Sequence, residues 1–478
     1  MHISLKILQA RMAFPNAVRS KLTPAPALPE ATWDYPQAGR HFTVGAAKVD
    51  LTPGDLLSKR YYMAGYGMWK PIRGVLNPVY ATALWVDDNS GRGGVLLVSV
   101  DCVGIMNNDV EAVRARLKPF CKRTGCRAVH VMATHCHASI DTMGFWGPLP
   151  KTGRDKTFFR ILFGAIESAA EQAYATRRCG DIYAGSVETA GIQQDKRLPD
   201  VYDNVATRLR FVAFEGGREI HIINYASHPE VLGSKNKLLS ADWVHWFREK
   251  LEENNAEAVY FNGAIGGMIT PTCVEGAGES VESAIAAGVM LAEATLSINN
   301  ERKLEPRIGT ARKELYIEMS NWVFGLCGKL RVLPREKFYT GEGTLCASMK
   351  TEVNYLRIGD VNILMIPGEP FPELAMGGYL PKEIAAVGGP EMNPAPYREM
   401  FGDPNLLIFG LANDEIGYII PPNDFILDEK WPCLVKTDDH GGRRHYEEIN
   451  SLGPRTAHIM AQAVEELRRA IQESGVRG

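Results

Sequence analysis

The sequence predicts a mixed α/β fold, β-sheets flanked by helices, on three observations. An apolar run from Val95 to Val100 is followed by Val110, Val113 and Leu117 at helical spacing and then by Ala128 to Ala133, which reads as strand, helix, strand. Two pairs of apolar runs, Arg208 to Phe214 with Ile220 to Tyr225 and Tyr355 to Ile358 with Val361 to Ile366, flank the turns Glu215-Gly216-Gly217 and Gly359-Asp360 and read as hairpins. Met460, Val464, Leu467 and Ile471 recur in steps of 4, 3 and 4, the apolar stripe of a closing helix.

In chain order, residues 1 to about 40 carry Thr23-Pro24-Ala25-Pro26-Ala27 without helical or strand periodicity and are expected to form an extended arm. Residues 41 to 478 are then expected to form a single domain without repeats, in which the irregular stretch of about 300 to 350 is expected to be an insertion or lid. Strands joined through one helix lie parallel with a right-handed crossover. Asp101 and His135 therefore leave the carboxyl ends of neighbouring strands, where open α/β sheets place ligands. Ser240 is the expected cap of a helix bearing Trp243, Trp246, Phe247 and Leu251, and Ala258 to Phe261 is a strand entering Asn262-Gly263-Ala264-Ile265-Gly266-Gly267. The second hairpin ends in Pro367-Gly368-Glu369, and the buried strand Leu406 to Phe409 leads to Asn413-Asp414-Glu415-Ile416-Gly417-Tyr418.

Composition excludes several classes. The 53 basic against 56 acidic residues give a net charge of −3, so no cationic field draws the chain to nucleic acid. No apolar run approaches the roughly 18 residues of a membrane span, which argues against stable membrane insertion. The first thirty residues lack the apolar core of a secretory signal, so a cytoplasmic location is expected. Nine cysteines without CxxC pairing suggest buried or incidental thiols and not a disulfide framework. Small molecules remain as the expected partners.

Four strand ends stop at side chains able to bind metal: His135-Cys136-His137, His228, Glu369 and Tyr418. Singly, each has a plain structural role. Together, imidazoles, a carboxylate and a phenolate suit a divalent cation, zinc best because nitrogen donors dominate and thiolates are absent. The period-two spacing of His135 and His137 puts both rings on one side of an extended segment.

Thr134-His135-Cys136-His137-Ala138-Ser139 resembles the Thr-His-x-His-Ser segment of the neutral/alkaline, non-lysosomal ceramidases. Asn224-Tyr225-Ala226-Ser227-His228, Ile366-Pro367-Gly368-Glu369, Gly417-Tyr418-Ile419 and His445-Tyr446-Glu447-Glu448 with Leu452-Gly453-Pro454 are similar, in the same order, to later segments of that family. The resemblance runs from about residue 42 to 472. It implies one zinc ion held by His135, His228, Glu369 and Tyr418, with His137 and Tyr446 facing the scissile bond. It also implies departures. The family's Gly-Asp-Val-Ser-Pro loop is represented by Gly266-Gly267-Met268-Ile269-Thr270-Pro271, longer by one and without the Asp, which makes Thr270 a doubtful nucleophile. Asp141 to Gly147, including Trp146, replaces a glycine-rich continuation, and Asp195-Lys196-Arg197 stands where the family has Asn-Arg. Neither the family's immunoglobulin-like C-terminal domain nor a secretion signal is seen, as in a short bacterial-type relative.

The expected activity is hydrolysis of an amide, or an ester or lactone, in a soluble small molecule or N-acyl compound, by water that a metal ion makes acidic. His137 is expected to supply a hydrogen bond or proton in the transition state, with Tyr446 as a second donor. Arg197 is expected to meet an anionic group or oxyanion, or else a surface ion pair. Gly266 and Gly267 should leave room for substrate beside Asp141 and Trp146, and Asp101 should orient a ligand histidine or end its strand. Two alternatives stand beside this reading: a true ceramidase acting on N-acylsphingosine, and a metal-containing binding protein without activity.

Overall fold

The structure, a computed structural model, describes residues 3–475. Its strands form two large sheets stacked face to face, with helices on both outer sides. The larger runs, in spatial order, Ala256–Asn262, Glu219–Tyr225, Val205–Ala213, Arg178–Glu188, Phe42–Asp50, Tyr80–Asp87, Val95–Val100 and Ala128–Ala133. The smaller runs Thr32–Asp34, Ile308–Glu318, Ser348–Ile358, Val361–Met365 and Leu407–Phe409. Val44, Leu84, Leu97, Phe211 and Phe261 of one sheet meet Ile308, Leu356, Ile363 and Phe409 of the other. The stacked rings of Phe261 and Phe409, 4.9 Å apart, join the layers. Each such side chain removed from water contributes about 1.5–3 kcal/mol, so this seam is a principal source of stability.

The expected strand–helix–strand unit is present: Val95–Val100 and Ala128–Ala133 pair in parallel across the helix Asn107–Arg116. Both hairpins form as well. The helix Lys156–Ala175 covers the outer face of the larger sheet with Phe158, Leu162, Ala165, Ile166, Ala169 and Ala173, a 3.6-residue stripe. Asp155 starts it by accepting the N–H groups of Thr157 and Phe158 at 2.8 and 3.1 Å. Trp243–Glu253 and Val281–Leu296 cover the same sheet farther along, and Thr456–Gly475 covers the smaller sheet.

Three expectations are corrected. Residues 3–22 are not extended: Ile3–Leu22 is a helix, anchored by buried Leu5 and by Asn16 donating to Leu345 O at 2.8 Å. Its weak apolar stripe hides it from a periodicity reading, since long-range contacts supply what the local pattern lacks. The helix after Ser240 is capped by Asp242, which accepts the Trp243 N–H at 2.7 Å, while Ser240 Oγ accepts the Asp242 N–H. The stretch read as an insertion begins with a strand of the smaller sheet, Ile308–Glu318, paired along its length with Ser348–Ile358; between them lie the helix Trp322–Lys329 and an irregular return.

The strand ends do not meet along a single open edge. Five antiparallel pairings separate Val95–Val100 from Glu219–Tyr225, so the strands before His135 and His228 run in opposite directions. The larger sheet curls instead, as strongly twisted sheets do. One edge strand, Ala256–Asn262, comes to lie against Val95–Val100 and Ala128–Ala133 at the other end of the order, with Ser99 Oγ donating to Tyr260 O at 2.6 Å and Asn262 Nδ2 to Thr134 O at 2.9 Å. That closure brings the two histidine-bearing ends together.

Candidate metal centre

Each member of the centre is set by its backbone. His135 follows its strand with φ of 68°, an uncommon conformation for a residue with a Cβ. Its Nδ1 lies 2.6 Å from Val103 O, and His228 Nδ1 lies 2.7 Å from Ile269 O. A carbonyl only accepts, so both Nδ1 atoms carry hydrogen, and each ring turns its Nε2 inward. They face the same atom: Glu369 Oε2 is 3.4 Å from His135 Nε2 and 3.2 Å from His228 Nε2. Glu369 and Tyr418 stand side by side because Glu369–Pro370 and Tyr418–Ile419 pair in parallel. Gly368, with φ of 125°, permits this pairing, since a Cβ there would lie 2.7 Å from Gly417 O.

His137 completes a set of three buried imidazoles whose ligand atoms lie within 4.8 Å of one another. The ring centroids of His135 are 4.8 Å from His137 and 4.9 Å from His228. Neither ring nitrogen of His137 has a hydrogen-bond partner. Gly65 (φ 86°) lies so close above that a Cβ would be 2.4 Å from His137 Cγ, and the Tyr66 ring stands edge-on at 5.3 Å.

Burial dominates the electrostatics. It holds His135 below the usual imidazole range, and it holds His137 well below, helped by the two neighbouring imidazoles and by Lys196 and Lys70. Burial alone would depress His228 too, but the hydrogen bond and charge of Glu369 raise it; the carboxyl of Glu369, which burial would raise, is lowered by His135 and His228. The two shifts are reciprocal: each group favours the charged form of the other. Two inward-facing imidazole nitrogens around one carboxylate oxygen can share a proton or a cation, and the donor set of imidazoles, carboxylate and phenol fits a divalent metal. Glu415, which forms a second group with His135 and Glu369, is pushed well above the carboxylate range by burial and by Glu369.

Tyr418 and Tyr446 meet edge to face at 6.4 Å, and burial raises both phenols. The structure therefore gathers His135, His137, His228, Glu369, Tyr418 and Tyr446. Thr270 lies in the short strand Ile269–Pro271, buried, and among the described residues no base is hydrogen-bonded to its hydroxyl.

The other expected site residues have different work. Arg197 is enclosed, its guanidinium 2.6 Å from Glu447, 3.2 Å from Asp424 and 3.4 Å from Glu448, so its charge is already matched. Asp141 accepts the N–H groups of Met143, Gly144 and Trp146 at 2.9, 2.6 and 2.9 Å; it shapes its own loop, and burial pushes its carboxyl up to about 6. Trp146 packs into the apolar cluster beside Phe145. The space at Gly266 is taken by Phe371, whose Cδ1 would be 2.3 Å from a Cβ there, and Gly267 is needed for its φ of 80°. Asp101 touches no ligand histidine: it forms a bidentate pair with Arg248 at 2.6 and 2.9 Å.

Sequence reasoning missed Glu230, whose Oε2 is 3.8 Å from His137 Nδ1, and Glu415. Both had a signal: Glu230 stands two residues after His228 and Glu415 three before Tyr418. All nine cysteines are free, and no helix among the described residues is long and apolar enough to cross a membrane.

Two stacked sheets between helices, with a buried imidazole–carboxylate centre where the larger sheet curls, define the class of molecule. No protein-family model and no curated protein matches the chain in sequence. Its structure is similar to that of the neutral ceramidase from Pseudomonas aeruginosa, with a TM-score of 0.67 over 91% of this chain and 75% of that one at 16% identity. It is similar also to a ceramidase complexed with C2, with a TM-score of 0.68 over 91% and 76% at 15% identity. The chain has the mixed α/β fold of a neutral ceramidase catalytic domain.

Proposed function

We propose that the protein is a metal-dependent hydrolase that cleaves an amide bond, or an ester or lactone, in a small N-acyl compound, with one zinc ion as cofactor. The observation that carries this reading is the convergence of His135 Nε2 and His228 Nε2 on Glu369 Oε2, with His137 left without a partner beside them. His135, His228, Glu369 and Tyr418 would hold the ion. When bound, a divalent ion polarises an acyl oxygen and lowers the pKa of water toward 7.

The protein's own groups supply the rest. His137, kept neutral by burial and without a hydrogen-bond partner at either ring nitrogen, donates to the developing oxyanion or passes a proton to the leaving group. Tyr446, its phenol kept protonated by burial, is the second donor. Gly65 and Tyr66 hold the His137 ring in place. Thr270 is not a nucleophile, because a hydroxyl of ordinary acidity needs an adjacent base.

A narrower reading, hydrolysis of N-acylsphingosine, is favoured by the fold match alone. The test is metal analysis of the purified protein followed by a panel of acyl amides, esters and lactones. The expected result is one divalent ion per chain, turnover of an N-acyl compound, and loss of turnover on chelation. A fully loaded protein that hydrolyses nothing on the panel would instead be a binding protein.

A further inference from the structure

The loop above His137 carries a charge that the centre itself does not use. Tyr66, edge-on to His137, donates its hydroxyl to Glu230 O at 2.6 Å, and the ammonium of Lys70 lies over its ring, 4.8 Å from the centroid. Lys70 Nζ is shielded from solvent and has no hydrogen-bond acceptor. Lys196, the other ammonium near His137, differs: it lies 3.4 Å from Glu230 Oε1, so its charge is offset. The remaining charges felt by Lys70 are those of exposed Lys237, which repels it, and exposed Glu279, which attracts it. An ammonium withdrawn from water without an acceptor is costly, and an aromatic face returns only part of that cost. The same loop exposes Met68 and Trp69, 56% and 60% accessible, an apolar surface next to the cation.

Building on the hydrolase reading, we propose that Lys70 receives a carboxylate of the substrate, so that the substrate class is an N-acylated amino acid, with its acyl chain beside Met68 and Trp69. The carboxylate would supply the acceptor that Nζ lacks, and Lys196 would stay paired with Glu230.

The test compares N-dodecanoylglycine with N-dodecanoylethanolamine, equal in acyl chain and differing in charge, on the metal-loaded wild type, Lys70→Met and Lys70→Arg. One well-placed charge pair is expected to give the wild type about a tenfold preference in kcat/KM for the anionic substrate. Lys70→Met should reduce that ratio to near one, chiefly through KM, and Lys70→Arg should keep most of it. Equal cleavage of both substrates by the wild type, or an unchanged ratio in Lys70→Met, would overturn the inference and leave the hydrolase reading standing. Calorimetry on metal-loaded His137→Ala separates the two ideas: binding of N-dodecanoylglycine that needs Lys70 would sustain the anion site even if the wild type hydrolyses nothing on the wider acyl panel, the outcome that overturns the hydrolase. Absence of such binding would overturn the anion site.

Discussion

Two buried clusters of histidine and carboxylate lie among the described residues, and they differ in how their charges are matched. The first joins His135, His137 and His228 to Glu369; the second joins Asp424, Asp439 and His445. By donor type and spacing both are able to hold a cation. In the first, no arginine or lysine forms an ion pair with Glu369 among the described residues, and its charge is met by two imidazoles and the Tyr418 hydroxyl. In the second, Arg443 lies 2.7 Å from both Asp424 and Asp439, and Arg197 reaches Asp424, Glu447 and Glu448. The second cluster already contains its cations, so a divalent ion there would be repelled by two guanidinium groups. Ligand-type residues close together do not make a metal site; unmatched acceptors do.

The strongest way to break this contrast is to remove a member of the first cluster. His228→Ala should lose stoichiometric metal and nearly all activity, a fall of at least about a thousandfold, read by metal analysis and turnover on the same sample. Retention of metal and rate would remove His228 from the ligand set.

The second cluster should respond in stability instead. Arg197→Met leaves Glu447, Glu448 and Asp424 buried around a missing charge and should cost about 3–5 kcal/mol by denaturant unfolding. Its folded fraction should still bind one ion, and a loss of metal without loss of stability would merge the two clusters.

How far this contrast was legible in the sequence depends on distance along the chain. The strand, helix and strand before His135 and both hairpins are local patterns, and all appear in the structure; His135 and His137 do come together, but not on an extended segment, since His135 has φ of 68° and His137 stands in a turn. The encirclement of Arg197 is not local: its partners are more than 200 positions away, and a sequence shows an arginine without its counter-ions. Asp101 is the same case, since Arg248 lies 147 positions off. The loop-shaping work of Asp141 was hidden differently, because its partners are backbone N–H groups that leave no mark in the sequence. The curl that unites His135 with His228 depends on the twist accumulated over the whole larger sheet.

Smaller effects sharpen the division of labour inside the first cluster. On the proposed reading, in which its ring supplies a transition-state contact and not a ligand, His137→Ala should lower kcat by about a hundredfold while metal stays bound. Metal loss in that variant would make His137 a third imidazole ligand. Thr270→Ala should keep activity within about tenfold, and mass spectrometry of the wild type during turnover should show no acyl adduct on Thr270. An adduct there would restore covalent catalysis.

The central claim, that unmatched acceptors place the metal, is tested most directly by a crystal structure of zinc-loaded protein with anomalous differences recorded at the zinc absorption edge. The account predicts one strong peak between His135 Nε2, His228 Nε2 and Glu369, and none among Asp424, Asp439 and His445. A peak in the arginine-matched cluster, or no peak at the imidazoles of a protein shown to contain zinc, would contradict it.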